Sequence, residues 1–342
     1  MSGKHMPRER TTFNRKSVNQ ATSVWREQEL VRGKPVNAGV IILRTTGCSH
    51  YHKGGCSMCR YNHESDGSVT PENITRQFDS AVKDLGRVDF LKVYTSGSFL
   101  DECEVPSSVS EHILRTSADQ GSRLLFESRP EYVTSSKLNV LKEIHGDVEV
   151  ALGLESSNDR ILQYSINKGF TKADYESAAK TIKEEGLDLR TYVLLKPPFL
   201  TESEAIDDSI QTIRFAAELS DTISLNPVNV QKGTMVERLW RSWAYRPPWL
   251  WSVLEVLRSC EDVRRRIICD PTGGGKDRGA HNCGKCDEMI LASIKAFSQS
   301  QDRSRLGFPD CECLDIWRSI RDLDGFVVGG IADLQRFFRD SR

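Results

Sequence analysis

Cys48, Cys56 and Cys59 stand close together in the stretch Gly47-Cys48-Ser49-His50-Tyr51-His52-Lys53-Gly54-Gly55-Cys56-Ser57-Met58-Cys59. Thiolate sulfur is a soft donor that suits iron or zinc. Three is an informative number. A structural zinc site takes four protein ligands, whereas three leave one corner of a metal centre open for chemistry. His50 or His52 as a fourth ligand would close the set into a zinc site, and spacing alone leaves that alternative open.

A second constellation follows late in the chain. It comprises Cys269-Asp270, His281-Asn282-Cys283-Gly284-Lys285-Cys286 and Cys311-Glu312-Cys313. C-x2-C is a zinc-knuckle spacing, and two more thiols can close a tetrahedron. The preferred set is Cys283, Cys286, Cys311 and Cys313. Because Cys311 and Cys313 are only two residues apart, Cys269 or His281 could replace one of them. The closed set points to structural zinc, with an auxiliary iron–sulfur cluster as the alternative. Cys103 and Cys260 are expected to be ordinary buried thiols. Between the two constellations, Trp240-Arg241-Ser242-Trp243-Ala244-Tyr245-Arg246-Pro247-Pro248-Trp249 interleaves aromatics with arginines. Such a stretch either packs a core or stacks unpaired bases; Arg241 and Arg246 are the better RNA candidates.

The elements that must position these groups alternate in type. Val40–Leu43, just before the first cysteine, is an apolar run bounded by glycine and predicts a buried strand. Thr70-Pro71 opens a helix by N-cap and Pro at the first position, its apolar residues recur at helical spacing, and Gly86 stops it. Further strands are expected at 88–94, 123–127, 148–155, 189–195 and 222–225. Helices are expected around His112, at 137–144 and 173–185, and from the Thr201/Glu204 capping box to about Leu219. Six strand–helix units in series demand a parallel sheet with right-handed crossovers, and residues 36–260 are too few for eight. The expectation is an incomplete (βα)6 parallel barrel over 36–260, with function at the C-terminal strand ends. A basic arm (1–35) would precede it and a helical, cysteine-rich, zinc-binding appendage (261–342) would follow.

Bulk composition adds limits. With 47 basic and 48 acidic side chains the net charge is −1, which carries no overall nucleic-acid signature. Residues 1–35 are different, with eight basic side chains against three acidic ones. That arm either tracks phosphates or is a solvated terminus. Ten cysteines clustered at metal-like spacings, with no apolar opening segment, fit a reducing cytoplasm better than secretion. No run approaches the length of a membrane span.

A cysteine triad after the first strand of a (βα) series resembles the radical S-adenosylmethionine (SAM) superfamily. The common spacing there is C-x3-C-x2-C; here it is C-x7-C-x2-C. The longer stretch looks like the archaeal branch related to the Elongator catalytic subunit, and more closely like the archaeosine-forming radical SAM family. The resemblance runs from about residue 36 to the C-terminus. Tyr94-Thr95-Ser96-Gly97-Ser98-Phe99-Leu100-Asp101, Glu127-Ser128-Arg129-Pro130, Gly153-Leu154-Glu155-Ser156 and Ile166-Asn167-Lys168-Gly169 agree with it.

The resemblance implies a [4Fe–4S] cluster on Cys48, Cys56 and Cys59, with SAM chelating the fourth iron and yielding a 5′-deoxyadenosyl radical. It places SAM against Gly97, Ser98, Glu127, Glu155 and Lys168, with Arg129 and Lys196 as further candidates. Glycine at 97 would let backbone approach the cofactor, the carboxylates would accept from amino or ribose groups, and Lys168 would pair with the SAM carboxylate. The implied reaction cleaves the lysine C–N bond of a lysine-adducted 7-deazaguanine in tRNA, leaving archaeosine. The implied partners are tRNA, the lysine-transferring archaeosine synthase subunit and a reductant protein such as ferredoxin. No acetyltransferase-like segment follows, which argues against Elongator-type chemistry. Rivals are another radical SAM tRNA-modifying enzyme, such as a methylthiotransferase, and a zinc-stabilised, non-catalytic tRNA-binding protein. No residue is singled out as a general acid.

Overall fold

The computed structural model describes residues 17–324. Lys4, Arg8, Arg10, Arg15 and Lys16 of the expected basic arm lie outside the described residues, as does the chain beyond Asp324. One eight-stranded sheet runs in sequence order, β1 (Ser23–Val31), β2 (Lys34–Ile42), β3 (Phe90–Tyr94), β4 (Arg123–Ser128), β5 (Val148–Glu155), β6 (Asp188–Leu195), β7 (Thr222–Pro227) and β8 (Arg266–Cys269). β1 is antiparallel to β2, and every later pair is parallel. The helices between the strands are α1 (Pro71–Leu85), α2 (Ser107–Asp119), α3 (Ser135–Ile144), α4 (Lys172–Glu184) and α5 (Glu202–Ala216). After β7 come α6 (Met235–Arg241) and α7 (Leu250–Ser259), and after β8 come α8 (Asp287–Ser300) and α9 (Cys313–Leu323).

The architecture is thus the expected open α/β barrel followed by an appendage whose cysteine cluster could hold a metal, and the six expected strands are β2 to β7. Two expectations are corrected at its ends. Residues 17–35 are not an arm, because Ser23–Val31 pairs with β2 through a two-residue turn at Arg32-Gly33, both with positive φ. The sheet also does not stop at residue 260, since β8 pairs with β7 inside the cysteine-rich region.

Most of the apolar core lies between the sheet and its helices. It joins Ile41, Phe78, Leu91, Phe126, Leu152, Val193 and Trp251, among others. Inside the barrel the apolar layer is thin, formed by Ala38, Phe90, Leu125 and Ala151. Below it, toward the N-terminal strand ends, the interior is charged. Arg190 binds Glu29 (2.7 Å) and Glu149 (2.9 Å), Arg123 binds Glu149 (3.2 Å), and Arg266 binds Glu29 (3.0 Å). Lys92 pairs with Glu29 and with Glu27 (2.6 Å). Lys92, Arg123 and Arg190 surround the Phe90 ring at 5.4–5.9 Å. Burial pushes the Glu149 carboxyl up, but Arg190 and Arg123 outweigh it and hold it near 2. The Glu29–Arg266 bridge joins β1 to β8 by side chains where no strand pairing closes the sheet. The C-terminal mouth above is left for chemistry.

Candidate functional site: a cysteine loop at the barrel mouth

The cysteine loop leaves the C-terminal end of β2 and is pinned from several sides. Cys48 N donates to Asn62 Oδ1 (2.9 Å), and Ser49 Oγ bonds Asp101. Ser57 N donates to Ile166 O (2.8 Å), while Ser57 O accepts from Met235 N and Val236 N at the start of α6. His50 uses a ring nitrogen on Asn167 O (2.7 Å) and its ring packs where a side chain on Gly169 would stand. Burial pushes the His50 pKa down. His50 is therefore engaged as a brace rather than turned to the thiols. All three cysteines are unpaired and partly buried. Burial pushes the Cys59 thiol up to about 12, and neighbouring Cys56 and Cys48 add to it. Burial also raises Cys56, with Lys168 pulling the other way. Such thiols stay neutral until a cation binds them, and only then do they become good ligands. The donor set fits a soft metal centre with an open corner.

The loop after β3 packs directly on Cys48. A Cβ at Gly97 would stand 2.7 Å from Cys48 Cα and 2.8 Å from Cys48 Cβ. Gly97 is thus needed for packing against the cysteine loop, beyond the close backbone approach expected of it. Ser98 is buried; its Oγ accepts from Arg129 N (3.1 Å). Sequence reasoning missed the organiser of this turn, the buried Glu104. Its carboxylate accepts from Ser96 N (3.0 Å), Gly97 N (3.0 Å), Ser98 N (2.5 Å) and Thr45 Oγ1 (2.7 Å). No local pattern marks Glu104, because its role exists only once residues 96–98 fold over it.

Across the mouth, Glu155 and Lys168 form a buried pair, Nζ to Oε1 at 2.8 Å. Lys168 is held above its usual value: burial lowers it, but Glu155 and Cys56 outweigh that. Gly153 leaves the room, since a Cβ there would stand 2.7 Å from Glu155 Oε1 and 2.9 Å from Lys168 Nζ. A glycine inside a strand was the available signal for such close approach. Glu155 closes β5 with φ 68°, in a register shift against β6. Glu127 lies lower on the inner wall. Burial pushes it up to about 7, against the hydrogen bond from Tyr192. Arg129 bonds Glu131 (2.6 Å) and Lys168 O (3.0 Å) and stacks over Phe170, so it supports Lys168. Lys196 pairs with Glu202 at the end of β6. The structure thus gathers Cys48, Cys56, Cys59, Gly97, Ser98, Glu127, Glu155 and Lys168 around the strand ends, with the last cation already partnered by Glu155.

The second cysteine set converges on one point. The sulfurs of Cys283, Cys286, Cys311 and Cys313 all lie within 4.8 Å of one another. Cys283–Cys311 and Cys286–Cys313 are 3.6 Å apart, and Cys311–Cys313 3.4 Å. Disulfide bonds are far shorter. One tetrahedral ion with metal–sulfur bonds of about 2.3 Å has edges of about 3.8 Å, so the four sulfurs fit a single ion. Cys311 and Cys313 both point inward. Cys269 is buried in β8 with its backbone on Ser298 Oγ, and His281 Nδ1 is on Gly279 O, so neither belongs to the set. Cys103 is exposed, against the expectation that it is buried, because the turn after buried Asp101 carries Glu102 and Cys103 out to solvent; Cys260 is buried as expected.

The aromatic–arginine stretch divides otherwise than expected. Arg246 is held over the Trp249 ring (3.9 Å) and on the carbonyls of Pro247 and His281, and Tyr245 and Trp249 are buried. Arg246 is therefore spent on packing. Arg241 is exposed and pairs with Glu237, and Trp243 is 95% exposed.

Comparison with known proteins agrees with this geometry. The sequence profile of the radical SAM superfamily matches residues 42–209. Archaeosine synthase subunit beta of Methanosarcina acetivorans is 38% identical, over 94% of this chain and 96% of the relative. The subunit beta of Thermococcus kodakarensis is 39% identical, over 91% and 98%. In fold, the crystal structure of a radical SAM methyltransferase from Sphaerobacter thermophilus aligns with TM-score 0.50 at 12% identity, covering 79% of this chain and 75% of that one. With its thiol loop at the mouth of an open parallel barrel, the chain belongs to the radical SAM superfamily and, within it, to the family of archaeosine synthase beta subunits.

Proposed function

We propose that this chain is the radical-generating subunit of a cytoplasmic tRNA-modifying pair. In this reading the partner subunit attaches lysine to a 7-deazaguanine base, and this chain cleaves the lysine C–N bond to leave the amidine of archaeosine. The observation that carries it is the meeting of the Cys48/Cys56/Cys59 loop with the buried Glu155–Lys168 pair at the C-terminal strand ends.

Cys48, Cys56 and Cys59 would each hold one iron of a [4Fe–4S] cluster, leaving the fourth for SAM. When bound and reduced by an electron donor such as ferredoxin, that pair supplies a hydrogen-abstracting carbon radical. Gly97 and Ser98, fixed by Glu104, set the wall behind Cys48. Lys168 offers an ammonium to the SAM carboxylate, and Glu155 holds it in place until then. Glu127, on the inner wall, faces the groups that must be kept from water. Cys283, Cys286, Cys311 and Cys313 would hold one structural zinc ion. The modified base must leave its stack to reach the barrel. The exposed rings of Tyr61 (57%), Tyr51 (39%) and Trp243 (95%), with Arg238 and Arg241, favour RNA at the rim.

The test is an anaerobic preparation assayed for iron, sulfide and zinc, then given dithionite, SAM and lysine-adducted tRNA. About four irons and one zinc per chain, with 5′-deoxyadenosine and archaeosine formed only with the lysine-bearing tRNA, are expected. Zinc without a reconstitutable cluster would leave a non-catalytic RNA-binding protein instead. Deoxyadenosine without archaeosine would overturn the substrate alone.

A further inference from the structure

Lys196 and Glu202 are 8% and 2% exposed; Lys196, a further candidate for SAM contact by resemblance, has its ammonium engaged by Glu202 instead. Lys196 is the first residue after β6 and has φ 62°; Phe199, three residues on, has φ 69°. Left-handed backbone at bulky residues persists only where the surroundings over-determine it. Here they do. The Lys196 ammonium pairs with Glu202, and its carbonyl accepts from Tyr245 Oη (2.8 Å).

On one side this segment is tied to the four-cysteine site. Glu202 Oε1 accepts from Trp249 N (2.9 Å) and Ser252 Oγ (2.5 Å), at the first turn of α7. Asn282 Oδ1 accepts from Leu250 N (2.9 Å) in the same turn, and Asn282 Nδ2 donates to Cys286 Sγ (3.3 Å). Trp251 Nε1 donates to Cys313 Sγ (3.3 Å). Two sulfurs of the set thus hold the turn that holds Glu202.

On the other side the segment is tied to the barrel mouth. Pro198 O accepts from Ser165 Oγ (2.5 Å), within the short π-helix Ile161–Ile166. Ile166 O accepts from Ser57 N of the cysteine loop, and Lys168 follows two residues later.

We propose that Lys196 and Glu202 are a positioning pair through which the four-cysteine site, when it holds its ion, fixes the 161–168 segment and with it Lys168. A buried ion pair is a poor source of stability compared with apolar packing. Its value here is geometric: it locks a turn that contacts both metal-binding regions. The proposal rests on the functional reading only in taking Lys168 as a cofactor contact.

The experiment uses the full chain with both metal sites filled. Cys283→Ser opens the four-cysteine site. The double variant Lys196→Met/Glu202→Gln removes the pair with neutral side chains of similar size and leaves the cysteines intact. Amide hydrogen exchange of 161–168 and 196–201 is read alongside SAM affinity by equilibrium binding. Each variant is expected to speed exchange in both segments and to weaken SAM binding about tenfold, an ordinary coupling between linked sites. Combined, the two should weaken it no further than one alone. Unchanged exchange in 161–168 and unchanged SAM affinity in the double variant, with its zinc retained, would overturn the proposal, as would fully additive losses. Should Cys283→Ser fail to fold, the double variant alone decides. A wild-type protein that binds no SAM would sink the functional reading, while the exchange data would still judge the coupling.

Discussion

At the scale of single residues, the mouth is shaped as much by what is missing as by what is present. Gly97 has no room for a methyl group, because the Cα and Cβ of Cys48 and a carboxylate oxygen of Glu104 already occupy its place. Gly97→Ala is therefore expected to push Cys48 aside, costing about 1–3 kcal/mol of stability by overpacking while the chain still folds. The check is iron content after reconstitution: it should fall well below wild type, and full loading would refute the packing account. Asp208 offers a second case. One of its oxygens accepts from Ser156 Oγ (2.7 Å), next to Glu155, and the other is buried without a partner. Burial pushes this carboxyl up to about 7 from 3.8, only partly offset by Ser156. The folded state then holds its proton more tightly than the unfolded state, so stability is full below about pH 4 and falls as pH rises to about 7. The difference converts to about 4 kcal/mol at pH 8. Asp208→Asn keeps the shape and removes this titration; Glu127, also pushed up to about 7, still titrates, so the variant's urea-unfolding stability should decline by distinctly less than the wild type's over that range. A parallel decline in both proteins would show that another group is responsible.

At the scale of elements, the hairpin of β1 and β2 does what a closing strand would do, but with charge. Glu29 accepts from Arg190 and Arg266 and pairs with Lys92, joining β1 to β3, β6 and β8. Glu29→Ala would leave these cations buried without that acceptor, a loss of about 3–5 kcal/mol. Glu27 is more exposed and reaches only Lys92 among these, so Glu27→Ala should cost about 1 kcal/mol or less. Urea midpoints with unchanged slope separate the two, and equal losses would contradict the bridging role of Glu29. The same chemistry explains what was legible beforehand. β5 matches its expected span, Val148–Glu155, because Val150–Leu154 is the unbroken apolar run of a strand covered on both faces, with Glu149 the charged exception turned to Arg190 and Arg123. The Thr201/Glu204 box sits where it was read, although α5 ends at Ala216, short of Leu219. β1 was illegible because its inward positions are Glu27 and Glu29, which break the apolar alternation that marks a strand. β8 is only four residues long, too short to register. The four-cysteine set was legible from its C-x2-C spacing, and its sulfurs converge; spacing alone left Cys48, Cys56 and Cys59 open, and their expected role came from the resemblance. Glu104 and the Lys196–Glu202 pair were not legible, since their partners come from distant segments.

At the scale of the whole molecule, the question is how a large substrate meets a recessed site, and α6 supplies the best handle. Its first turn is bonded to Ser57 of the cysteine loop, and Trp243 lies just past its last turn. Trp243 is seven positions after Val236, about 10 Å along at helical rise, and α6 covers all but the last two of those steps. Trp243 thus presents a solvent-facing ring within one nucleotide's reach or two of the mouth, its backbone N donating to Trp240 O and φ 60° turning the chain there. A lone exposed tryptophan needs no partner to account for it, but an apolar ring with a polar N–H is the side-chain type enriched at interfaces. Stacking of one base on such a ring is worth about 1–3 kcal/mol, so Trp243→Ala should weaken tRNA binding roughly five- to 150-fold. Trp243→Tyr should keep most of the affinity, because the face of the ring and not the indole N–H makes the contact. The salt dependence should be unchanged by either, since no phosphate contact is lost, whereas Arg241→Ala should lessen the salt slope by about one unit. Uncoupled SAM cleavage should stay at the wild-type rate in all three, as none of these residues touches the cysteine loop's thiols. If Trp243→Ala left tRNA affinity intact but weakened association with the partner subunit, the exposed face of α6 would be a protein interface, and the RNA would have to enter from the side of Tyr51 and Tyr61.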